Sequence, residues 1–230
     1  MKLINMTIPQ LLQHYRDGDF TPRELIEDLL ERAQAAADDH TWIHLMSRQV
    51  IQPYLDRLAS HAPDDLPLYG IPFAIKDNID LAGIPTTAAC PAFSYVPAHS
   101  AYVVQRLLEA GAIPLGKTNL DQFATGLVGT RSPYGATANP FDPAYIAGGS
   151  SSGSAVAVAQ GLVSFALGTD TAGSGRVPAA FNNIVGMKPS RGLLSNQGVV
   201  PACKSLDCVA LFASTVTDLH TLFDLTAVFD

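Results

Sequence analysis

The stretch from Gly148 to Gly175 constrains this chain more than any other. It reads Gly-Gly-Ser-Ser-Ser-Gly-Ser, then an apolar run from Ala155 to Leu167, then Gly-Thr-Asp-Thr-Ala-Gly-Ser-Gly. Two loops rich in glycine and hydroxyls therefore flank core material. Glycines let backbone N–H groups converge on one point and approach a bound molecule closely. A flexible linker of similar composition would run polar on both sides. Here the flank is Ala155-Val156-Ala157-Val158-Ala159 followed by Leu162-Val163-Ser164-Phe165-Ala166-Leu167. Serines held in such loops are candidate nucleophiles.

The rest of the chain supports a layered α/β fold with a sizeable core. Its 230 residues are 47% hydrophobic, with a mean hydropathy of +0.18, which describes a globular chain of one large domain or two small ones. Residues 1–65 hold 17 of the 35 charged residues, whereas between Pro143 and Cys203 only Asp170, Arg176, Lys188 and Arg191 are charged. Surface helices packed on a buried sheet are the expected outcome, as an N-terminal helical segment, 1–65, against a catalytic core, 66–230. In the head, Thr7 and Pro9 open a short helix stopped by Gly18, and Thr21-Pro22-Arg23-Glu24 is a capping box with proline at the first helical position. In the body, Gly70 to Lys76, Ala112 to Gly116, Val163 to Leu167 and Ile184 to Lys188 read as strands. Helices follow from Tyr102, from Ala155 and from Pro178, with a short helix from Asn119. Strands alternating with helices imply α/β layering.

Several function classes are excluded or disfavoured. A net charge of −7 offers no basic face for nucleic acid. No run reaches membrane-spanning length, and no leader pattern opens the chain, so the expected location is cytoplasmic. Cys90, Cys203 and Cys208 form no C-x-x-C pair, which points to neither a disulfide framework nor a zinc site; no metal and no cofactor are expected.

Two familiar patterns fail on context. Gly111 to Thr118 matches the phosphate-cradling G-x-x-x-x-G-K-T, but a helix precedes it and Ile113-Pro114-Leu115 is extended, so its glycines bracket a strand. Gly149-Ser150-Ser151-Ser152-Gly153 matches the nucleophile elbow G-x-S-x-G, which needs a later histidine to take the serine proton. Only His220 follows, on what reads as an ordinary helix face.

Without a histidine base, Lys76 is the alternative. It closes an apolar strand and precedes the turn pair Asp77-Asn78. A lysine there either snorkels its head into water or lies in apolar surroundings that lower its pKa by roughly 3 units, as burial can.

Four motifs, in this order, resemble the amidase signature family: Gly70-Ile-Pro-Phe-Ala-Ile-Lys76-Asp-Asn, Gly116-Lys-Thr-Asn-Leu-Asp-Gln-Phe, Gly148-Gly-Ser-Ser-Ser-Gly-Ser-Ala and Gly168-Thr-Asp-Thr-Ala-Gly-Ser-Gly-Arg-Val-Pro. The likeness runs from about Leu68 to Gly192. It implies a layered α/β/α fold with a central mixed sheet flanked by helices, of which this chain carries the first half. It also implies amide hydrolysis by a Ser–cis-Ser–Lys triad, with the lysine on Lys76, the cis-serine on Ser150 and the nucleophile on Ser174. The two serines stand 24 residues apart, as in the family. The family's oxyanion hole falls on the N–H groups of Thr171, Ala172, Gly173 and Ser174, and a substrate-facing backbone carbonyl falls on Ala124. Asp170 and Arg176 are expected to form a structural ion pair beside them.

Two departures refine the resemblance. Ala172-Gly173-Ser174-Gly175-Arg176, Asp121 to Gly135, and Ala202 to Cys208 are most like the allophanate hydrolases of the family. They imply a small amide substrate such as allophanate, split to ammonia and carbon dioxide in urea degradation, with a homodimer as the expected assembly. Amidase-like subunits of glutamine-dependent amidotransferases share the same motifs and stand as the alternative. The chain is also shorter than the family's amidase domain, so weak or absent turnover is expected from these residues alone. Arg131 is the candidate anchor for an anionic substrate.

Overall fold

A computed structural model describes residues 5–228; the outermost bounds of the segments expected at 1–65 and 66–230 lie outside the described residues. The head begins with α1 (Ile8–Asp17) and α2 (Pro22–Ala35). Gly18 ends α1 in the left-handed conformation, at φ 73°, where a side chain would be strained. The expected capping box opens α2: Glu24 N–H donates to Thr21 Oγ1 (3.2 Å), and Thr21 N–H donates to the Glu24 carboxylate (2.8 Å). Leu25, Ile26, Leu29, Leu30 and Ala33 form its buried stripe, at the 3.6-residue period that makes one helix face apolar.

The head also supplies a strand, β1 (Trp42–Leu45), and a further helix, α3 (Arg48–Leu58). The body continues with β2 (Pro72–Lys76), α4 (Tyr102–Glu109), β3 (Ile113–Thr118), α5 (Ser152–Ala159), β4 (Phe165–Asp170), α6 (Arg176–Phe181), β5 (Val185–Met187), β6 (Cys208–Ala213) and α7 (Val216–Thr226). The stretch from Asn119 forms a short 3-10 turn at Gln122–Ala124. Among the described residues no helix is long and apolar enough to cross a membrane.

The six strands form one mixed sheet in the order β1-β3-β2-β4-β6-β5. The three central strands β3, β2 and β4 run parallel, while β1, β6 and β5 join by antiparallel pairing. The chain leaves β2 through α4 to reach β3 on one side, then passes through α5 to β4 on the other. Right-handed crossovers in opposite directions put α4 and α5 on opposite faces. β2 is thus the point where strand order reverses, and the crevice beyond the carboxyl ends of such strands is where α/β sheets bind ligands.

Packing at the centre is dense. Phe73 and Phe165 lie directly opposite in the β2–β4 register, their rings stacked at 5.1 Å between centroids, and both are fully buried. Such cross-strand aromatic pairs add to the stabilisation from area alone. α5 is buried almost all round, from Ser152 to Val158, which explains its uniformly small and apolar sequence.

Candidate active site

Three carboxyl strand ends meet at the reversal point. β2 ends in Lys76 and continues into Asp77-Asn78. β3 ends in Thr118 and leads to Asp121 and the 122–131 loop. β4 ends in Asp170 and leads to Thr171 through Ser174. The serine loop 148–151, ahead of α5, lies against all three.

Lys76 does not snorkel. It is fully buried, and its Nζ donates to Ser150 Oγ at 2.7 Å and to Thr169 Oγ1 at 2.8 Å. Two neutral hydroxyls are poor compensation for a buried ammonium. Burial accordingly lowers the amine from 10.5 to about 7, against the smaller raising effects of Asp121, Asp170 and Asp207. Ser150 is fully buried and follows a cis Gly149–Ser150 peptide bond.

Ser174 is 3% exposed, and its hydroxyl donates to the Gly126 carbonyl at 3.3 Å. The structure thus joins Lys76 to Ser150, while among the described residues no hydrogen bond links the hydroxyls of Ser150 and Ser174. Their segments touch through the Ser151 N–H, which donates to the Ser174 carbonyl at 3.4 Å.

The loop after β4 is built around Asp170. Its carboxylate accepts the N–H groups of Gly173 (2.8 Å), Gly175 (3.1 Å) and Arg176 (3.2 Å). The Arg176 guanidinium adds two charge-assisted bonds at 2.9 and 3.0 Å. Burial works against this carboxylate, but these donors outweigh it and hold its pKa below the usual range. Of the four N–H groups implied as an oxyanion hole, that of Gly173 is given to Asp170. On the other side, the Thr171 hydroxyl donates to Asp207. Asp207 also caps the N–H groups of Ala202 (2.9 Å) and Cys203 (3.1 Å).

Phe123 and Ala124 both adopt left-handed backbone, at φ 52° and 55°. Two such non-glycine residues in succession cost on the order of 1–3 kcal/mol each and concentrate at functional sites.

The two misleading motifs are resolved by hydrogen bonding. Ser151 Oγ donates to Thr169 O (3.2 Å) and accepts Thr169 N–H (3.3 Å), which ties α5 to β4. His220 lies exposed on α7 beside Asp224, at 3.3 Å. Gly116 and Lys117 sit inside β3. Lys117 is a second fully buried lysine, but it faces a carboxylate: its Nζ lies 3.1 Å from Asp77 Oδ1 and donates to Thr86 Oγ1 at 3.0 Å. Asp77 is further held by Thr87, whose N–H donates to it at 3.0 Å.

Sequence reasoning did not single out Thr169, the second acceptor for Lys76, nor the ties made by Asp121. A hydroxyl near the end of the apolar run Phe165–Leu167 and an acidic residue just past a strand were the available signals. Among the described residues no group of three or more His, Cys, Asp or Glu side chains is arranged to hold a metal ion, and Cys90, Cys203 and Cys208 are free.

Comparison with known proteins adds family evidence. The Amidase family model matches residues 24–229. The urea amidolyase of Saccharomyces cerevisiae is 57% identical over 200 residues, covering 86% of this chain and 11% of that protein. A glutamyl-tRNA(Gln) amidotransferase subunit of an Exiguobacterium species is 39% identical over 230 residues, covering 99% of this chain and 48% of that protein. Among solved structures, the selenomethionine-substituted allophanate hydrolase of Kluyveromyces lactis superposes with a TM-score of 0.90 at 49% identity, over 96% of this chain and 37% of that one. The chain therefore spans less than half the length of these relatives.

Proposed function

The chain belongs to the amidase family, and from that premise we propose that it cleaves a linear amide bond, with Ser174 as nucleophile, Ser150 as proton relay and Lys76 as base. One observation carries this reading. Lys76 is a fully buried amine 2.7 Å from Ser150 Oγ, and burial lowers its pKa to about 7. A neutral amine has a lone pair free to take the Ser150 proton as Ser150 takes that of Ser174; Ser150 then protonates the leaving nitrogen and recovers its proton from Lys76, and water, activated by the same relay, releases the acyl group from Ser174. The relay requires the Ser174 hydroxyl to exchange Gly126 O for Ser150.

The tetrahedral oxyanion is met by backbone N–H groups of Thr171, Ala172 and Ser174, each such donor being worth about 3 kcal/mol in comparable sites. The Gly173 N–H instead fixes the loop on Asp170. The Ala124 carbonyl is offered to the substrate amide.

Allophanate is the proposed substrate, supported by the identity to a urea amidolyase and the likeness to an allophanate hydrolase. Arg131, which lines a cavity of about 550 Å³ with Gln122, Phe123 and Thr125, is the proposed contribution of this chain to holding the carboxylate. Identity to a glutamyl-tRNA(Gln) amidotransferase favours glutamine as the competing substrate. Ammonia release should therefore be measured with allophanate and with glutamine, for the wild type and for Ser174→Ala. Release from allophanate alone, abolished in the variant, supports the proposal. A serine-reactive probe that labels Ser151 in place of Ser174 would overturn it.

A further inference from the structure

Asp121 is a heavily bonded carboxylate that this reaction scheme leaves without a part. It is fully buried and forms no ion pair among the described residues. Its Oδ2 accepts the N–H groups of Val128 (3.3 Å) and Gly129 (3.0 Å), and its Oδ1 accepts that of Arg131 (2.9 Å). Its own N–H donates to the Ser150 carbonyl at 3.0 Å. The two segments it grips are also joined directly, Gly149 N–H donating to Leu127 O at 2.9 Å.

The fit is tight. A Cβ added at Gly126 would meet Asp121 Oδ2 at 2.7 Å, and one added at Gly149 would collide with the same atom. The gripped loop carries Gly126, whose carbonyl holds the Ser174 hydroxyl. Asp121 thus holds Ser150 through its backbone N–H and, through its carboxylate, the 128–131 stretch that follows the Ser174 acceptor Gly126.

We propose that Asp121 is a positioning residue for amide hydrolysis, its carboxylate holding the 128–131 loop and its backbone N–H holding the Gly149–Ser150 segment, so that the two are clamped together, with its charge bearing on Lys76. This inference rests on the assignment of Lys76, Ser150 and Ser174 above. Three acidic groups act electrostatically on Lys76: Asp121, Asp170 and Asp207. Asp170 is neutralised by Arg176 at 2.9 Å, and Asp207 is engaged by Thr171 and by the N–H groups of Ala202 and Cys203. Asp121 is the largest of the three influences that hold the amine up against burial. The clamp therefore also sets the lower limit of pH at which the lysine is a free base.

The test is the pH profile of kcat/KM for ammonia release by the whole protein. Asp121→Asn keeps the side-chain shape, and Asp121→Ser removes the charge without setting an amide N–H against the loop donors. Each should move the acid limb to lower pH by about half a unit or more. Each should also lower the plateau roughly 10- to 100-fold, since small displacements of reacting groups cost that much. Gly129→Ala disturbs the same loop with the charge intact, because its Cβ would meet Gly148 O at 2.6 Å. It should lower the plateau and leave the limb where it is.

A folded Asp121→Asn or Asp121→Ser enzyme with an unmoved limb overturns the electrostatic part. A Gly129→Ala enzyme with the wild-type plateau overturns the clamp, and does so even if neither Asp121 variant folds. A wild-type profile flat from about pH 5 to about pH 9 would instead undo the assignment of Lys76 itself, a separate and recognisable failure.

Discussion

Replacing Lys76 by methionine should make this protein more stable near neutrality and below, and less stable in alkali. Burial lowers the Lys76 amine from 10.5 to about 7, a difference worth about 5 kcal/mol. Between about pH 7 and about pH 10.5 the unfolded chain holds a proton on this lysine and the native protein does not, so stability rises with pH across that window. Below it both states are protonated, and the native state bears the full cost of an ammonium among hydroxyls.

Methionine removes that cost. It also removes the bonds to Ser150 Oγ and Thr169 Oγ1, leaving two buried hydroxyls short of a donor at a cost of roughly 2–3 kcal/mol together. Thr169 keeps part of its satisfaction through Asn78 Nδ2, at 3.4 Å. The net expectation is a gain of roughly 2–3 kcal/mol near pH 6, shrinking with pH and turning into a loss by about pH 10. Urea unfolding followed by circular dichroism, at matched ionic strength across that range, reads both curves. Parallel curves for wild type and Lys76→Met would refute the reasoning, because they would mean that the lysine keeps its ordinary proton affinity in the fold. Loss of turnover in the same variant is a separate expectation of the proposed mechanism.

Two further outcomes follow from the packing. Lys117→Met strands the Asp77 carboxylate, fully buried, with Thr87 as its remaining hydrogen-bond donor. It should cost about 3–5 kcal/mol, read as a lowered denaturant midpoint, and a loss below about 1 kcal/mol would mean that the pair is not charged. Gly149→Ala forces a Cβ within 2.6 Å of Gly129 N, which should cost roughly 1–3 kcal/mol and most of the turnover; an active, equally stable variant would show that the clamped loop yields easily.

Much of the site was legible because chemistry concentrates at strand ends. Lys76 ends an apolar run, and Gly148 to Ser151 and Gly168 to Ser174 bracket another, so the three elements that carry these residues could be read directly. The four-residue strand β1 could not. Trp42 to Leu45 are all half-buried, which gives neither alternation nor a continuous apolar run. The strand exists because β3 offers it an edge: Gly116 lies opposite Leu45, and a Cβ there would meet Trp42 Cε3 at 3.0 Å and clash with His44 O. A glycine suited to a phosphate loop thus serves close approach between strands, information held in two segments about 70 residues apart. Pairings of this kind are also what escaped detection in the site. The hydroxyl of Thr169 and the backbone N–H of Asp121 acquire their meaning from Lys76 and Ser150, which only the folded topology sets beside them.

The position of β2 has a consequence for how the protein fails. The strand bearing Lys76 is bonded on both edges, to β3 and to β4, and its side chains are all buried. Fraying, which begins at edges and termini, should reach β1 and β5 first and leave Lys76 in register. Amide protons along 73–76 and 165–167 should therefore exchange only when the whole sheet opens, which hydrogen exchange would read directly. Lys76 and Thr169, on adjacent central strands, stay together for as long as the sheet itself lasts.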